Sequence, residues 1–208
     1  MYYLKYLKQK MKHNSIMRII LDGLIKVNIK VTLYFLVFKE LFNETIPHLE
    51  TGFDDYEICS LGPDDMKIIA AIPERKIHEK TFLRWLNEGK KCLGAKWRGE
   101  LAAFIWYDLN ECNAEFRRFS LAPDEAYLFD AYTMMNFRGK RIAPYLVYQL
   151  YKEFSKLNRT RLYSIIYYFN RQSINVMKKM HGKPIELVLH ISIFDKWEFS
   201  RIIRKYKI

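Results

Sequence analysis

Hydrophobic and polar residues follow two different periods along the chain, and these periods predict a mixture of strands and helices. Residues 31–38 form an unbroken apolar run rich in β-branched and aromatic side chains, which predicts a buried strand. The run is far shorter than the roughly 20 residues that a transmembrane helix needs. Further strands are predicted over residues 56–61, 91–97, 101–107, 162–168 and 185–194, with a hairpin turn at residues 98–100.

Other segments repeat their apolar residues at the spacing of a helix. Met66, Ile69 and Ile72 follow a turn and predict a helix with an inward apolar face. The remaining helices are predicted over residues 78–88, 145–157 and 173–180. After residue 55 the predicted order therefore begins with a strand, two helices and a hairpin.

A strand, a basic turn and a helix follow one another after residue 125. Alternating residues before Asn136 predict the strand, and apolar residues from Ile142 onward predict the helix. Pro144 suits the first turn of a helix, where its missing amide hydrogen leaves no bond unmade. The turn itself consists of Arg138, Gly139, Lys140 and Arg141. Free amides at a helix N-terminus beside cationic side chains predict a phosphate-binding site.

The formal net charge of the chain is +12 at pH 7. A phosphate-rich ligand would explain the basic turn, but basic residues are also crowded at both ends of the chain. Residues 1–30 combine recurring lysines with apolar residues at helical spacing, which predicts an amphipathic segment that either packs on the domain or lies on an anionic membrane. Nucleic acid is disfavoured, because the basic residues form no RNA- or DNA-binding signature.

Cysteine usage is typical of a reducing compartment. Cys59, Cys92 and Cys112 are scattered, so they indicate neither a disulfide scaffold nor a metal site. No histidine lies at metal-ligand spacing from a cysteine or a carboxylate, and no metal is predicted. Residues 43–55 contain Pro47, Gly52 and several acidic side chains, which predicts a linker.

Two short segments match a known pattern when they are taken together. Residues 138–143 read Arg-Gly-Lys-Arg-Ile-Ala, and residues 170–182 begin with Asn170, continue through Ser173 and end with Gly182. In this order, with a strand-like stretch between them, they resemble the pyrophosphate loop and the Asn-x-x-Ala/Ser segment of the GNAT superfamily of acyl-coenzyme A-dependent N-acyltransferases. Arg141 stands at a glycine of that loop, and Met177 replaces a tyrosine of the second segment.

The resemblance implies a mixed α/β (α+β) fold, in which helices flank a mostly antiparallel central sheet with one splayed pair of strands. It implies an acyltransferase domain over residues 53–195, preceded by a basic segment and apolar strand (residues 1–50) and followed by a basic tail (residues 196–208). Acetyl-CoA is the implied co-substrate. The implied cofactor-binding residues are Ala131, Tyr132, Thr133, Met134, Arg138, Gly139, Lys140, Arg141, Ile142, Ala143, Asn170 and Ser173.

The implied reaction is attack of an amine on a thioester, which needs a proton acceptor and an amide donor for the oxyanion. The backbone amide of Thr133 or Met134 is the predicted oxyanion donor. Asp130 is the candidate base, because it lies on the cofactor strand in phase with Tyr132. An equally good interpretation is a structural carboxylate paired with an arginine such as Arg117 or Arg118.

In the family, the tyrosine of the second segment is the usual general acid. This chain has Met177 at that position, so another residue would have to serve as the acid. Tyr132, Tyr167 or Tyr168 could supply a phenol from the strands, and each is also interpreted as a core aromatic. A dedicated acid is dispensable, since a thiol with a pKa of about 8.5 leaves readily as thiolate near neutral pH.

Two functions follow from these observations. The first is an N-acetyltransferase acting on a primary amine, for which an amino sugar or nucleotide sugar of surface-polysaccharide synthesis is one acceptor. The second is a GNAT-fold binding module that has lost catalysis and holds nucleic acid or an anionic surface. The protein is expected in the cytoplasm, and at the inner face of the membrane if residues 1–30 bind lipid. Whether the protein forms a homodimer is left open.

Overall fold

The computed structural model describes residues 23–24, 26–41, 54–75 and 77–207. The first 22 residues of the predicted amphipathic segment and most of the predicted linker lie outside these ranges. The strands are β1 (Ile29–Glu40), β2 (Tyr56–Ser60), β3 (Lys91–Trp97), β4 (Glu100–Asp108), β5 (Glu111–Ala114), β6 (Arg117–Ser120), β7 (Glu125–Thr133), β8 (Arg161–Tyr167), β9 (Lys183–Ile193) and β10 (Trp197–Lys205). The helices are α1 (Pro63–Ala70), α2 (Glu79–Asn87), α3 (Ile142–Lys156) and α4 (Arg171–Lys179), with a short 3-10 helix at Met135–Phe137.

The strands and helices predicted within the described ranges are present, with ends that differ by a few residues. Helix α3 begins at Ile142, directly after the basic turn, so Pro144 does lie in its first turn. Residues 197–205, predicted as part of a basic tail, form β10, which pairs antiparallel with β9. None of the helices in the described ranges is long and apolar enough to cross a bilayer.

The chain divides into two compact units. The first, which we call the core unit, contains residues 37–165 and 175–183. The second, which we call the hairpin unit, contains the described residues up to 36 together with 166–174 and 184–207. β1, β8 and α4 each contribute residues to both units. The predicted domain limits stay a prediction.

The sheet of the core unit is mixed and mostly antiparallel, as the resemblance implies. Its strand order is β2-β3-β4-β7-β8-β1. The pairs β2–β3, β3–β4 and β4–β7 are antiparallel, and β7–β8 is parallel. A small separate hairpin, β5–β6, follows β4.

β4 has neighbouring strands on both sides, and helices cover both faces of the sheet. β4 is therefore almost wholly buried. Apolar residues of α3, including Leu146, Leu150 and Phe154, pack in one cluster with Ile105 and Tyr107 of β4. Residues of α1 and α2 pack in a second cluster with the alternate β4 side chains Phe104 and Trp106. Because successive side chains of a strand point to opposite faces of the sheet, β4 contributes residues to both clusters.

The α1–α2 core requires a close approach between β2 and β3. A methyl group on Gly94 would lie 2.6 Å from Cδ2 and 2.7 Å from Cγ of Leu61, which is itself buried. Glycine is therefore required at this position by packing, and not by its backbone angles.

Gly94→Ala should lower the free energy of unfolding by about 1–3 kcal/mol, because Leu61 must move within a filled core. Urea denaturation measures this loss. In a Leu61→Ala background the space already exists, so adding Gly94→Ala should cost close to nothing. An equal cost in both backgrounds would contradict the packing explanation.

Candidate active site

The candidate site lies at the carboxyl end of β7, where this strand separates from β8. β7 and β8 pair in register only as far as Leu128 and Ser164. On its other side β7 stays paired with β4 as far as Thr133. The splayed pair of strands that the resemblance implies is therefore present, and the last residues of β7 have one edge free of β8.

A bulge interrupts β7 at this point. Phe104 is opposite Tyr132 and Trp106 is opposite Phe129, so Asp130 and Ala131 together face one residue of β4. Asp130 has a φ of 47°, in the left-handed region that few residues other than glycine adopt. The simple alternation that put Asp130 in phase with Tyr132 is therefore broken between them.

Asp130 forms an ion pair with Arg75, from the connection between α1 and α2. Arg75 Nη2 lies 2.5 Å from Asp130 Oδ2, and the Arg75 side chain is only 8% exposed. Burial raises the pKa of Asp130 above its usual value, and the charge and hydrogen bond of Arg75 act in the opposite direction. Arg117 and Arg118, the partners suggested by sequence, are instead on β6.

Three aromatic rings surround the guanidinium of Arg75. Its Cζ lies 4.8 Å from the ring centre of Phe104, 5.3 Å from that of Tyr132 and 5.6 Å from that of Phe82. Rings at this distance attract a cation, and the attraction increases when water is excluded. The arginine is therefore fixed by the rings as well as by Asp130, and it fixes the carboxylate in turn.

A second polar cluster surrounds the hydroxyl of Tyr132. This hydroxyl donates a short hydrogen bond to Glu74 Oε1 and accepts one of 3.0 Å from Arg138 Nη2. Arg138 Nη2 also lies 3.6 Å from Glu74 Oε1. Burial raises the pKa of Tyr132, and its hydrogen bond to Glu74 raises it further. The phenol is therefore protonated at neutral pH.

The backbone of Thr133 is directed away from β4. The amide of Met134 donates to the carbonyl of Ala102 at 2.9 Å. Bonded and non-bonded pairs alternate along an antiparallel ladder, so Thr133, opposite Ala103, turns its amide and carbonyl to the free edge. Its carbonyl accepts a hydrogen bond from Arg138 Nε at 3.2 Å. Of the two predicted oxyanion donors, Met134 already donates its amide hydrogen, whereas Thr133 directs its own outward.

The basic turn leads directly into the N-terminus of α3. Gly139 has a φ of 81°, and Arg141, the residue before the helix, has a φ of 63°. The left-handed angle explains why the family pattern has glycine where this chain has Arg141. Ile142 and Ala143 open the 15-residue helix, and the first amides of a helix have no acceptor within it.

These features fit coenzyme A. A free strand edge suits an extended amide-containing arm, and helix amides beside Arg138, Lys140 and Arg141 suit a pyrophosphate. Ala131, Tyr132, Thr133, Met134 and the whole basic turn thus lie consecutively on the core unit.

The remaining predicted site residues belong to the hairpin unit. Asn170 precedes α4, and its Oδ1 accepts a hydrogen bond from the Ser173 amide at 3.1 Å, as a helix cap does. The ring of Tyr168 lies 5.5 Å from that of Phe35. The cofactor role of Asn170 and Ser173 and the catalytic role of Tyr168 stay predictions.

Sequence reasoning missed Glu74 and Arg75. Both lie in the short connection after α1, far along the chain from β7. The only local signal is a run of three charged residues after Pro73, which is equally typical of an exposed turn.

Comparison with known proteins identifies the family. The family model of the GNAT acetyltransferases matches residues 55–182. No curated protein sequence matches the chain. Among solved structures, a Drosophila protein is 18% identical with a TM-score of 0.57, over 84% of this chain and 52% of its own.

Two further structures show the same fold. A GNAT-family protein from Novosphingobium aromaticivorans is 17% identical with a TM-score of 0.55, over 77% of this chain and 63% of its own. The glucosamine N-acetyltransferase region of a fungal multi-domain β-N-acetylglucosaminidase is 11% identical with a TM-score of 0.57, over 91% of this chain and 23% of that one. This chain thus spans less than two thirds of each of these structures.

Arg75→Leu should destabilise the protein by about 3–5 kcal/mol at pH 7, because it leaves the Asp130 carboxylate buried without a counter-charge. The unpaired carboxyl takes up a proton at higher pH in the folded than in the unfolded protein. The loss should therefore shrink as the pH falls through the raised pKa of Asp130.

Denaturation of the wild type and variant at several pH values between about 4.5 and 7.5 measures this difference. Arg84→Leu is the matched control, since Arg84 is 66% exposed and should change stability by no more than about 0.5 kcal/mol. A loss for Arg75→Leu that is independent of pH would show that Asp130 is not its cause.

Proposed function

Because the chain belongs to the acetyltransferase (GNAT) family, we propose that it transfers an acetyl group from acetyl-CoA to a primary amine. The observation that supports this most directly is the continuity of the site. The free edge of β7 at Thr133 leads within a few residues to the basic turn and the N-terminus of α3. One segment therefore offers backbone groups for the pantetheine arm and amides with cations for the pyrophosphate.

Each residue has a proposed part in binding. Backbone groups of residues 131–134 are the proposed contacts of the arm and its thioester, and among them the Thr133 amide faces the free edge of β7. Amides of residues 139–143 bind the pyrophosphate, helped by the positive end of the α3 dipole. The side chains of Lys140 and Arg141 add positive charge. The cofactor-binding roles of Asn170 and Ser173 stay predictions.

Asp130 is the proposed base for the acceptor amine. Its raised pKa makes it a better proton acceptor near neutral pH than an exposed aspartate. Arg75 binds its Oδ2 and so fixes the orientation of the carboxylate. The amine's proton passes to Asp130 directly or through one water as its nitrogen attacks the thioester carbon.

Tyr132 is the proposed acid. Its phenol is held by Glu74 and Arg138 and keeps its proton, because burial and the bond to Glu74 raise its pKa. To protonate the departing thiolate of coenzyme A, the hydroxyl must turn its hydrogen from Glu74 to the sulfur. The amide of Thr133, at the free edge, is the proposed oxyanion donor. Tyr168 stays an alternative acid.

The acceptor is proposed to be an amino sugar or a nucleotide sugar. The net charge of +12 would favour an acceptor that itself bears phosphate. The fungal structure named above contains a glucosamine N-acetyltransferase region, so the fold is compatible with such an acceptor. A cytoplasmic location and a homodimer stay predictions.

The second candidate is a GNAT-fold module that binds an anionic ligand without turnover. One observation favours it: both carboxylates near Tyr132 already face an arginine, Asp130 at 2.5 Å and Glu74 at 3.6 Å. Calorimetry with acetyl-CoA, followed by a thiol-release assay over a panel of amino sugars and other amines, separates the two. Binding without release for any amine would support the module, and no binding at millimolar acetyl-CoA would exclude both the site and the enzyme.

Loop variants test the register of the cofactor site. Ala143→Glu should abolish coenzyme A binding, because it places an anion against the pyrophosphate. Arg141→Gly should keep the affinity within a few fold, because the backbone amide is retained and glycine adopts the left-handed angle readily. Titration calorimetry at increasing salt measures both, and wild-type affinity should fall as salt rises. Normal binding by the glutamate variant would show that the register is wrong.

Asp130→Asn tests the base. If Asp130 accepts the amine proton, the variant should bind acetyl-CoA normally but turn over about a hundredfold or more slowly. The measurements are turnover, acetyl-CoA affinity and melting temperature for the one variant. A joint loss of melting temperature and affinity would indicate a structural carboxylate paired with Arg75. A stable variant with full activity would remove Asp130 from the mechanism.

A further inference from the structure

The β9–β10 hairpin has one apolar face. Directly opposite residues of an antiparallel pair lie on the same face of the sheet. Trp197 pairs with Ile193, Phe199 with Ile191, and Arg201 with Leu189. We call the resulting surface, formed by Leu189, Ile191, Ile193, Trp197 and Phe199, the hairpin apolar face.

Two polar residues of this hairpin are buried, while two of its aromatic residues are exposed. Val188, His190 and Ser192, on the other face of β9, are buried, and His190 Nδ1 lies 2.8 Å from the Ser200 hydroxyl. On the hairpin apolar face, by contrast, Trp197 is 73% exposed and Phe199 is 57% exposed. Exposed apolar patches of this kind mark surfaces that bind a partner.

The turn of the hairpin adds another aromatic residue in an unfavourable conformation. Phe194 is 57% exposed and has a φ of 54°, a region that bulky side chains rarely adopt. Its amide donates to the carbonyl of Asn28 at 2.8 Å, and the adjacent Asp195 forms an ion pair of 2.7 Å with Lys30. The turn is therefore held in place while it presents an aromatic ring to solvent.

Cationic residues accompany this surface. Arg201 lies on the same face as Trp197 and Phe199, and Lys196 lies in the turn. Arg204 and Lys205 follow at the end of β10, where both are exposed. Aromatic side chains with neighbouring lysines and arginines suit the headgroup region of an anionic bilayer, which has an apolar and a negatively charged layer.

We propose that the hairpin apolar face and Phe194 bind the surface of an anionic membrane. A second copy of the chain is the less favourable occupant, because two copies with a net charge of +12 repel each other. The cations beside the aromatic residues would face like charges in such a dimer, whereas they attract anionic lipid. The proposal is independent of the acetyltransferase activity and concerns only where the protein resides.

Vesicle flotation of the full chain tests the proposal. Wild-type protein should float with vesicles of phosphatidylcholine and phosphatidylserine, and much less with phosphatidylcholine alone. The triple variant Phe194→Asn, Trp197→Ser, Phe199→Ser should lose about tenfold or more of its partition coefficient, since it removes the inserted apolar area. Ile68→Ser is the control: Ile68 is 49% exposed on α1, and its loss should leave flotation unchanged. All proteins retain residues 1–30, so any difference between them is due to the hairpin.

A second measurement uses the folded wild-type protein alone. Lipids brominated near the headgroup should quench part of the tryptophan fluorescence on vesicle binding, and Trp197→Phe should remove that quenching. Flotation that the triple variant leaves intact, or wild-type protein that does not bind anionic vesicles, would overturn the proposal. A dimer in sedimentation equilibrium that the triple variant abolishes, without vesicle binding, would identify a second copy as the occupant.

Discussion

The separation of β7 from β8 after Leu128 is the constraint on which the candidate site depends. Backbone amides and carbonyls must find partners, and a strand that leaves one neighbour has a row of them unpaired. The bulge at Asp130 and Ala131 accompanies this separation. Beyond it, Thr133 faces the free edge, and the chain enters the basic turn and α3. The free edge and the helix N-terminus thus belong to one short segment of the chain.

The side chains around the bulge are fixed by electrostatics in a mostly apolar setting. Arg75 neutralises Asp130 and lies among three aromatic rings, so the carboxylate is both desolvated and oriented. Water is largely excluded there, and both the ion pair and the cation–π contacts are stronger than they would be in solvent. Burial raises the pKa of Asp130 and the charge of Arg75 lowers it, while the ion pair fixes the position of the carboxylate.

The two units differ in how much of their apolar surface is exposed to solvent. The core unit buries both faces of β4 beneath helices, and its large side chains are covered. The hairpin unit leaves Trp197 and Phe199 exposed while burying His190. A covered sheet is what a stable enzyme core requires, whereas an uncovered aromatic face is costly in water unless something binds it. The contrast supports separate roles for the two regions.

The sequence by itself determined the elements of the fold. Period and β-propensity located β1, the β3–β4 hairpin and the strand-turn-helix segment, because these signals depend only on neighbouring residues. The segment around Arg138 also indicated the phosphate chemistry. Only the tertiary structure decided the bulge at Asp130, the outward direction of the Thr133 backbone and the pairing of Asp130 with Arg75. Each of these depends on contacts between residues distant in sequence, so no local pattern specifies them.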